Sequence, residues 1–368
     1  MPKVYAQVHG CPSNTADYEI SLGLLKRAGF ELVDAPEKAD VNVIFTCTVK
    51  LTSSQRMIGI IKKLAQTGKP LIVAGCMPKT EQRTIEKIAP DASMVGPDSI
   101  GHIVEAAHAA LDGEKVIFVK DERKGKTGLP RVRKESKVGI LVCSSGCDQA
   151  CTYCSVRFAR GRLKSYPADA LVKEAQALVK DGCTELQLTS EDNGSYESNG
   201  VRLPQLIEGI CRIPGDFKIR VGMMNPTYIR DKKLLTALIE AYKNEKIQKF
   251  LHLPLQSGSN TTLKYMKREY TVADFEKIIT AFRKEISDIY ISTDIIVGYP
   301  TERNSDFELT LGLVKKLKFN KINISKFGIR PSTEAAKLKQ LHSSVVNKRS
   351  KELHDLVKNI SLEKAKMT

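Results

Sequence analysis

Short apolar runs alternate with helix-like segments from residue 4 to residue 326. This alternation restricts the fold more than any other feature of the sequence. Strands separated by helices lie parallel, and the helices cover the faces of their sheet. In the first part the runs are 4–8, 41–45 and 70–74. The helix after the first run sets Tyr18, Leu22 and Leu25 at i, i+4, i+7 and stops near Gly29. The rhythm pauses at 120–137. There Lys120, Arg123, Lys124, Lys126, Arg131, Arg133, Lys134 and Lys137 outnumber three acids, with Gly125, Gly128 and Pro130 between them. This stretch reads as a basic linker, either a solvated loop or a phosphate-contacting strap.

From residue 138 the rhythm restarts, with strands expected at 138–143, 185–190, 217–223, 249–255, 288–297 and 320–326. Pro167 opens a helix at its N1 position, Leu171, Ala175, Leu178 and Val179 line it, and Gly182 ends it. Thr271 and Asp274 make a capping box before Phe275, Ile278, Ile279 and Phe282. Six βα units are too few for a closed eight-stranded barrel and fit an open six-unit one, with its active face at the C-terminal strand ends. The expected fold class is α/β. A doubly wound parallel-sheet domain spans 1–115, a basic linker 116–137, and an open six-unit (β/α) partial TIM barrel 138–345. A charged helical tail, 346–368, follows with no β domain after it.

Composition removes several classes. The chain has 368 residues, 42% apolar and 27% charged, which suits two to three packed domains and excludes a disordered chain or a collagen-like repeat. No apolar run approaches the roughly 20 residues of a membrane span. Met1 to Val8 enters a strand pattern directly, without a signal-peptide layout. The expectation is a cytoplasmic protein with no membrane partner. The net charge of +16 suits a polyanion, nucleic acid first. A lysine-rich proteome is the plainer explanation.

Nine cysteines, an odd number in a large chain without an export signal, point to metal or redox chemistry rather than disulfides. Cys147-Asp148-Gln149-Ala150-Cys151-Thr152-Tyr153-Cys154 sets three thiols at C-x3-C-x2-C spacing just after the first strand of the second part. Three such thiolates can hold three corners of a cubane iron–sulfur cluster and leave the fourth iron open to a ligand. With Cys143 the same group could instead make a four-thiolate zinc site. Cys143 ends an apolar strand, however, where a buried cysteine is common, and only one C-x2-C pair is present. Cys11, Cys47 and Cys76 each follow a strand of the first part. Turns of that kind gather at the carboxyl edge of a parallel sheet. The three can therefore meet, and a second cluster with an open iron is the natural reading. Unrelated core cysteines are the other. His9 is a packing or loop residue before it is a ligand. Cys183 and Cys211 lie at a helix end and on a helix face and read as core.

The C-x3-C-x2-C motif with an aromatic before its last cysteine resembles the radical S-adenosylmethionine (SAM) enzymes. With the trio Cys11, Cys47 and Cys76 the chain resembles the methylthiotransferases from residue 1 to about 345. The similarity includes Ala159-Arg160-Gly161-Arg162, the run from His252 to Ser259 and the run from Asp294 to Glu302. Cys47-Thr48-Val49-Lys50, Cys151-Thr152-Tyr153-Cys154 and Lys164-Ser165-Tyr166-Pro167 look most like the archaeal and eukaryotic tRNA branch. That branch adds a methylthio group to C2 of N6-threonylcarbamoyladenosine beside the anticodon. The branches acting on isopentenyladenosine or on a ribosomal protein match these motifs less well. A zinc-stabilised RNA-binding protein without catalysis is the reading from another class.

The resemblance implies two [4Fe-4S] clusters and SAM. Cys147, Cys151 and Cys154 would hold the cluster that chelates SAM, whose cleavage gives a 5′-deoxyadenosyl radical that takes the C2 hydrogen. Cys11, Cys47 and Cys76 would hold an auxiliary cluster carrying the sulfur, and a second SAM would supply the methyl group. The partners would be tRNA, an electron donor and a sulfur source, the last two of unknown identity. Tyr153 is placed to contact the SAM adenine or simply to pack the loop. Ser190, Glu191 and Asp192 close the second barrel strand, where a carboxylate can bind the SAM amino group or cap a turn. Gln256, Ser257 and Asp294 end later strands, within reach of SAM. Arg157, Arg160, Arg162 and Lys164 read as an RNA phosphate contact, with Arg330 a lesser one, against a solvated face. The family's usual C-terminal RNA-binding β-barrel is not expected in this chain.

Overall fold

The structure, a computed structural model, describes residues 1–48, 51–122 and 125–367, without the side chains of 51, 52 and 364–367. Val49, Lys50, Arg123 and Lys124, all singled out above, lie outside the described residues. The chain forms two compact units, Met1–Gln149 with Ser155–Glu191, and Ala150–Cys154 with Asp192–Thr368. The basic stretch 116–137 falls wholly in the first.

In the first unit a six-stranded sheet has the order β2-β1-β3-β4-β5-β6. Its strands are β1 (Lys3–Val8), β2 (Glu31–Val33), β3 (Val41–Thr46), β4 (Leu71–Gly75), β5 (Ser93–Val95) and β6 (Ile117–Phe118). Every pairing in it is parallel. The helices are α1 (Pro12–Arg27), α2 (Leu51–Ala65), α3 (Met77–Thr80), α4 (Gln82–Ile88) and α5 (Ile103–Leu111). Side chains alternate across a strand, so β3 feeds two cores. Val41, Val43 and Phe45 pack with Ile20 and Leu25 of α1 and Ile103 and Ala107 of α5. Ile44 packs with Met57 and Ile61 of α2 and Ile85 of α4. The sheet is therefore covered on both faces, as a doubly wound domain must be. Strand β6 carries it past residue 115.

The same unit contains β7 (Val138–Val142), the short antiparallel pair β8 (Ser144–Ser145) and β9 (Lys164–Ser165), α6 (Val156–Arg160), α7 (Ala168–Lys180) and β10 (Glu185–Thr189). Strands β7 and β10 pair in parallel, with Ile140 opposite Gln187. Pro167 is the residue before α7 rather than its first residue. The preceding basic stretch is an internal strap. Lys126 reaches buried Asp17 at 2.5 Å, and Arg131 donates to Glu174 at 2.5 Å and to the Ile140 carbonyl at 2.6 Å. Arg133 pairs with Asp181, and the Val132 N–H donates to the Glu19 carbonyl. Gly23 lets the strap cross α1, because a Cβ there would stand 2.2 Å from the Pro130 carbonyl oxygen. These three cations are held by carboxylates of their own unit, not offered to phosphates.

The second unit holds the hairpin β11 (Glu197–Ser198) and β12 (Val201–Arg202), α8 (Leu203–Cys211), β13 (Lys218–Val221), α9 (Pro226–Ile229), α10 (Lys232–Tyr242) and β14 (Phe250–His252). Then come α11 (Asn260–Tyr265), α12 (Val272–Glu285), β15 (Tyr290–Val297), α13 (Asn304–Leu317), β16 (Lys321–Lys326) and α14 (Ser343–Met367). Strands β14, β15 and β16 pair in parallel. The Thr271–Asp274 capping box forms as expected at α12, which buries Phe275, Ile278, Ile279 and Phe282. Strands β7, β10 and β13 to β16 account for the six runs expected after residue 138. Among the described residues no helix is long and apolar enough to cross a membrane.

Candidate functional site

In the first unit β1, β3 and β4 are neighbours, and each ends on the same sheet edge. Cys11 precedes α1, Cys47 follows β3 and Cys76 precedes α3. Gly10 and Gly75, just before two of these cysteines, turn the chain with φ of +139° and +90°. A side chain is excluded at both. A Cβ on Gly75 would stand 2.6 Å from the Thr46 carbonyl oxygen, and one on Gly10 2.9 Å from the Cys47 Cβ. The Asn14 amide ties the turns together by donating to the carbonyls of His9 at 2.7 Å and Thr46 at 3.2 Å. The Cys76 N–H donates to the Thr46 carbonyl. His9 shares a hydrogen bond with Gln7 and serves the loop.

The three thiols are near enough to perturb one another. Burial pushes the Cys11 thiol up, Arg160 opposes this, and Glu191 and Cys47 add to it. Burial pushes Cys76 up to about 12, again opposed by Arg160, with Cys11 and Cys47 adding to the rise. Burial thus favours the protonated form of both thiols, and ligation as thiolates releases protons. Among the described residues no three His, Cys, Asp or Glu side chains close around a single metal ion. Three convergent thiols are soft donors of the kind that suit an iron–sulfur cluster.

Arg160 was expected at a phosphate. It is instead 3% exposed and bridges two buried carboxylates, Asp17 at 3.0 Å and Glu191 at 3.1 Å. Lys126 holds the other oxygen of Asp17, and the Gly146 N–H donates to the other oxygen of Glu191 at 2.8 Å. Two cations and two carboxylates thus form one internal network beside the cysteine trio. The Glu191 carboxylate is committed to Arg160 and Gly146 and is not free for a SAM amino group. Arg330 is likewise buried, at 5% exposure, which removes it from an RNA-facing surface. Arg162 is exposed, while Arg157 and Lys164 are half-buried.

The C-x3-C-x2-C loop is held residue by residue. The Cys147 N–H donates to the Gly161 carbonyl within the first unit. In the second unit Thr152 anchors Cys151 and Cys154. Its hydroxyl lies 2.8 Å from the Tyr299 hydroxyl and 3.0 Å from the Tyr265 carbonyl. Its N–H donates to Met266, and its carbonyl accepts from Ala335. Tyr153 packs against Met266, Tyr299 and Ala335. Arg268, which local sequence reasoning missed, donates to the Cys151 Sγ at 3.3 Å and to the Asn225 Oδ1 at 2.8 Å, and its guanidinium lies 5.0 Å from the Tyr270 ring centre. It stands 117 residues from Cys151, so no local pattern could show it. Cys143 does not join the motif. It is fully buried, its S–H donates to the Thr189 carbonyl at 3.5 Å, and burial pushes it up to about 12. This removes the fourth ligand of the zinc reading. Cys183 is buried and Cys211 closes α8.

The remaining expected ligand contacts divide. Ser190 hydrogen-bonds Cys143. The Asp192 Oδ1 accepts from Gly194 at 3.0 Å and Asn225 at 2.9 Å, a turn-capping role, and burial raises its pKa to about 6. Ser257 is fully buried, and its oxygen accepts from the Ser259 N–H. Asp294 and Gln256 remain partly exposed. The His252 Nε2–H donates to the Asp294 carboxylate at 2.6 Å; His252 ends β14, whereas Asp294, expected at a strand end, lies inside β15 (Tyr290–Val297). Gln256 holds a left-handed backbone, φ +69°, a strained state for a non-glycine that costs on the order of 1 kcal/mol. Its peptide is clamped to β15 on both sides, through the Asp294 carbonyl and the Ile296 N–H.

Two family models match this chain, Uncharacterized protein family UPF0004 over residues 3–96 and the Radical SAM superfamily over residues 141–314. Among solved structures, the radical S-adenosylmethionine methyltransferase TsrM from Kitasatospora setae superposes with a TM-score of 0.66 at 14% identity, covering 91% of this chain and 75% of that one. The cobalamin-dependent radical enzyme OxsB superposes at 0.60 and 11% identity, over 98% and 56%. These show the fold. Among curated relatives, the probable threonylcarbamoyladenosine tRNA methylthiotransferase of Pyrococcus horikoshii is 42% identical over 367 residues, 99% of this chain and 85% of that protein. The threonylcarbamoyladenosine tRNA methylthiotransferase of Xenopus laevis is 36% identical over 363 residues, 96% and 65%. The fold and its two matched segments define a radical SAM protein with an N-terminal UPF0004 domain. The chain belongs to the threonylcarbamoyladenosine tRNA methylthiotransferase family. Membership of the radical SAM superfamily implies SAM and a [4Fe-4S] cluster.

Two consequences are measurable in the metal-free protein. Arg160→Met leaves Glu191 buried without its cation, which costs about 3–5 kcal/mol. Arg162→Met, at an exposed site two residues on, changes stability by about 0.5 kcal/mol or less. Urea unfolding of the two variants measures the difference. Asp192, with its pKa raised in the folded state, favours folding below the usual carboxylate pKa, and this contribution is lost as pH rises through about 6. Asp192→Asn keeps the Oδ1 acceptor. Its stability relative to the parent should rise between pH 4 and pH 7, by on the order of 2 kcal/mol, and thermal unfolding across that range reads it.

Proposed function

We propose that this chain is a tRNA methylthiotransferase that replaces the C2 hydrogen of N6-threonylcarbamoyladenosine, next to the anticodon, with a methylthio group. The net change would break a C–H bond, its hydrogen leaving with the 5′-deoxyadenosyl group of one SAM, and form a C–S bond whose sulfur comes from the auxiliary cluster and whose methyl group comes from a second SAM. One observation carries the reading. Three strand-end cysteines converge on one sheet edge, and a separate C-x3-C-x2-C loop is pinned by its own hydrogen bonds. Relatives of 36–42% identity carry that activity in their names. They favour this branch over the isopentenyladenosine and ribosomal-protein branches.

Cys147, Cys151 and Cys154 would hold one [4Fe-4S] cluster, and Cys11, Cys47 and Cys76 would hold a second. When bound, the first supplies the electron that cleaves SAM and the second carries the sulfur, since a hydrogen on an aromatic carbon is beyond side-chain acid–base chemistry. The chain's own residues position and shield. Thr152 fixes the backbone between Cys151 and Cys154. Arg268 donates a hydrogen bond to the Cys151 sulfur and fixes its position. Arg160, held by Asp17 and Glu191, brings a fixed positive charge to Cys11 and Cys76. Asp294, oriented by His252, and Gln256, bridged to β15, remain the partly exposed groups suited to SAM. Arg162 is the exposed cation of its run and is assigned to RNA phosphate. The base must leave its stack to react, as base-modifying enzymes require. An electron donor and a sulfur source complete the reaction.

The test is nucleoside analysis of tRNA from cells lacking the gene and supplied with the wild type, Cys151→Ala or Cys76→Ala. The wild type restores 2-methylthio-N6-threonylcarbamoyladenosine, and both variants leave the unmethylthiolated nucleoside. An unchanged nucleoside profile with the wild type would remove the reading.

A further inference from the structure

The positive charge of the chain is concentrated near its C-terminal end. Residues 315–358 hold twelve Lys and Arg against three acids, a net +9 in 44 residues out of +16 for all 368. Ten of the twelve are exposed lysines, and the other two, Arg330 and Arg349, are buried. The stretch is a built surface rather than a loose tail. Arg349 anchors α14 by donating to the Glu302 carboxylate at 2.8 Å and to the Asn304 side chain at 2.7 Å. Leu353 and Ile360 bury the inner face of the helix.

Between α13 and α14 runs an open groove of about 500 Å³, floored by Leu311 and Leu356 and rimmed by Lys315, Lys348 and Lys351. Glu352 and Asp355 also line it, at i+4 from Lys348 and Lys351. Among the described residues neither acid comes within 4 Å of a lysine, and the three groove lysines have no ion-pair partner, whereas nearby Lys316 pairs with Glu276. Side chains three apart on a helix stand about 5–6 Å apart. Lys348 and Lys351 therefore present two ammonium groups along one line, with Lys315 opposite.

We propose that the α13–α14 face is a docking surface for the phosphate backbone of duplex RNA, sequence-independent, gripped by Lys315, Lys348 and Lys351. This rests on the proposed function and deepens it by assigning backbone affinity to a surface of the second unit. Ammonium groups on a rigid helix neutralise phosphates and release their counterions, which gives affinity without base readout. The cost of ordering is already met by the Arg349 anchor.

The test uses the full chain and a labelled RNA duplex of arbitrary sequence, with fluorescence anisotropy read across a salt series. The triple variant Lys315→Gln, Lys348→Gln, Lys351→Gln should bind at least about tenfold more weakly near 0.1 M salt, and its log K against log salt slope should be shallower by about two. Circular dichroism should be unchanged, and so should SAM cleavage without RNA. Equal affinity and slope in parent and variant, or a parent that does not bind the duplex, overturns the proposal. So does a variant that loses binding to anionic-lipid vesicles but not to the duplex. The duplex assay is independent of methylthiolation. A parent that makes no methylthio nucleoside, with a variant that loses the duplex, removes the functional reading and keeps the surface. The opposite pair of results removes the surface alone.

Discussion

All strands of a parallel sheet end on the same edge, and the chemistry assigned to this chain depends on that constraint. Strands β1, β3 and β4 are adjacent, so the residues that follow them fall into one neighbourhood although they are spread from Cys11 to Cys76. Close approach then does the rest. Gly10 and Gly75 turn the backbone where a Cβ would collide with the next turn, and the Asn14 amide bridges two of the turns. Buried donors of this kind are seldom left unpaired. Here they are spent on holding the loops that carry the thiols.

The second organising element is a buried charge network. Asp17, Arg160, Glu191 and Lys126 share their charges out of reach of water. Such pairs contribute little net stability against an apolar core, but removing one partner is expensive. Their value here is placement. A fixed cation beside Cys11 and Cys76 opposes, without cancelling, the burial that raises those thiols. In the second unit Arg268 donates to the Cys151 sulfur, and Asn225 and Tyr270 hold it there.

What was legible in the sequence was local. Three of the six strands of the first sheet, the six strands expected after residue 138, the Thr271 cap and the turn positions of the six cysteines follow from periodicity and turn chemistry, and the helical tail from its charge; the short strands β2, β5 and β6 carry too few residues to show a pattern. Side-chain fate over long distances was not legible. Arg160 sits in a basic run that resembles a solvated face, yet its partner Asp17 is 143 residues away. The basic stretch before residue 138 looked like a free linker, but Lys126, Arg131 and Arg133 are consumed by carboxylates on α1, on α7 and just after it. Glu191 and Ser257 have the right residue type at strand ends, and other groups of the protein claim both. Position along a strand predicts which residues gather; only the packed structure shows which of them still have a free atom.

The central claim is that two sets of three cysteines each hold a cubane cluster. Iron and acid-labile sulfide per chain, measured after anaerobic reconstitution of the wild type and of the Cys11→Ala, Cys47→Ala, Cys76→Ala variant, tests it most directly. About eight irons should fall to about four, with sulfide in step. Equal iron in the two proteins, or zinc in place of iron, would contradict the account.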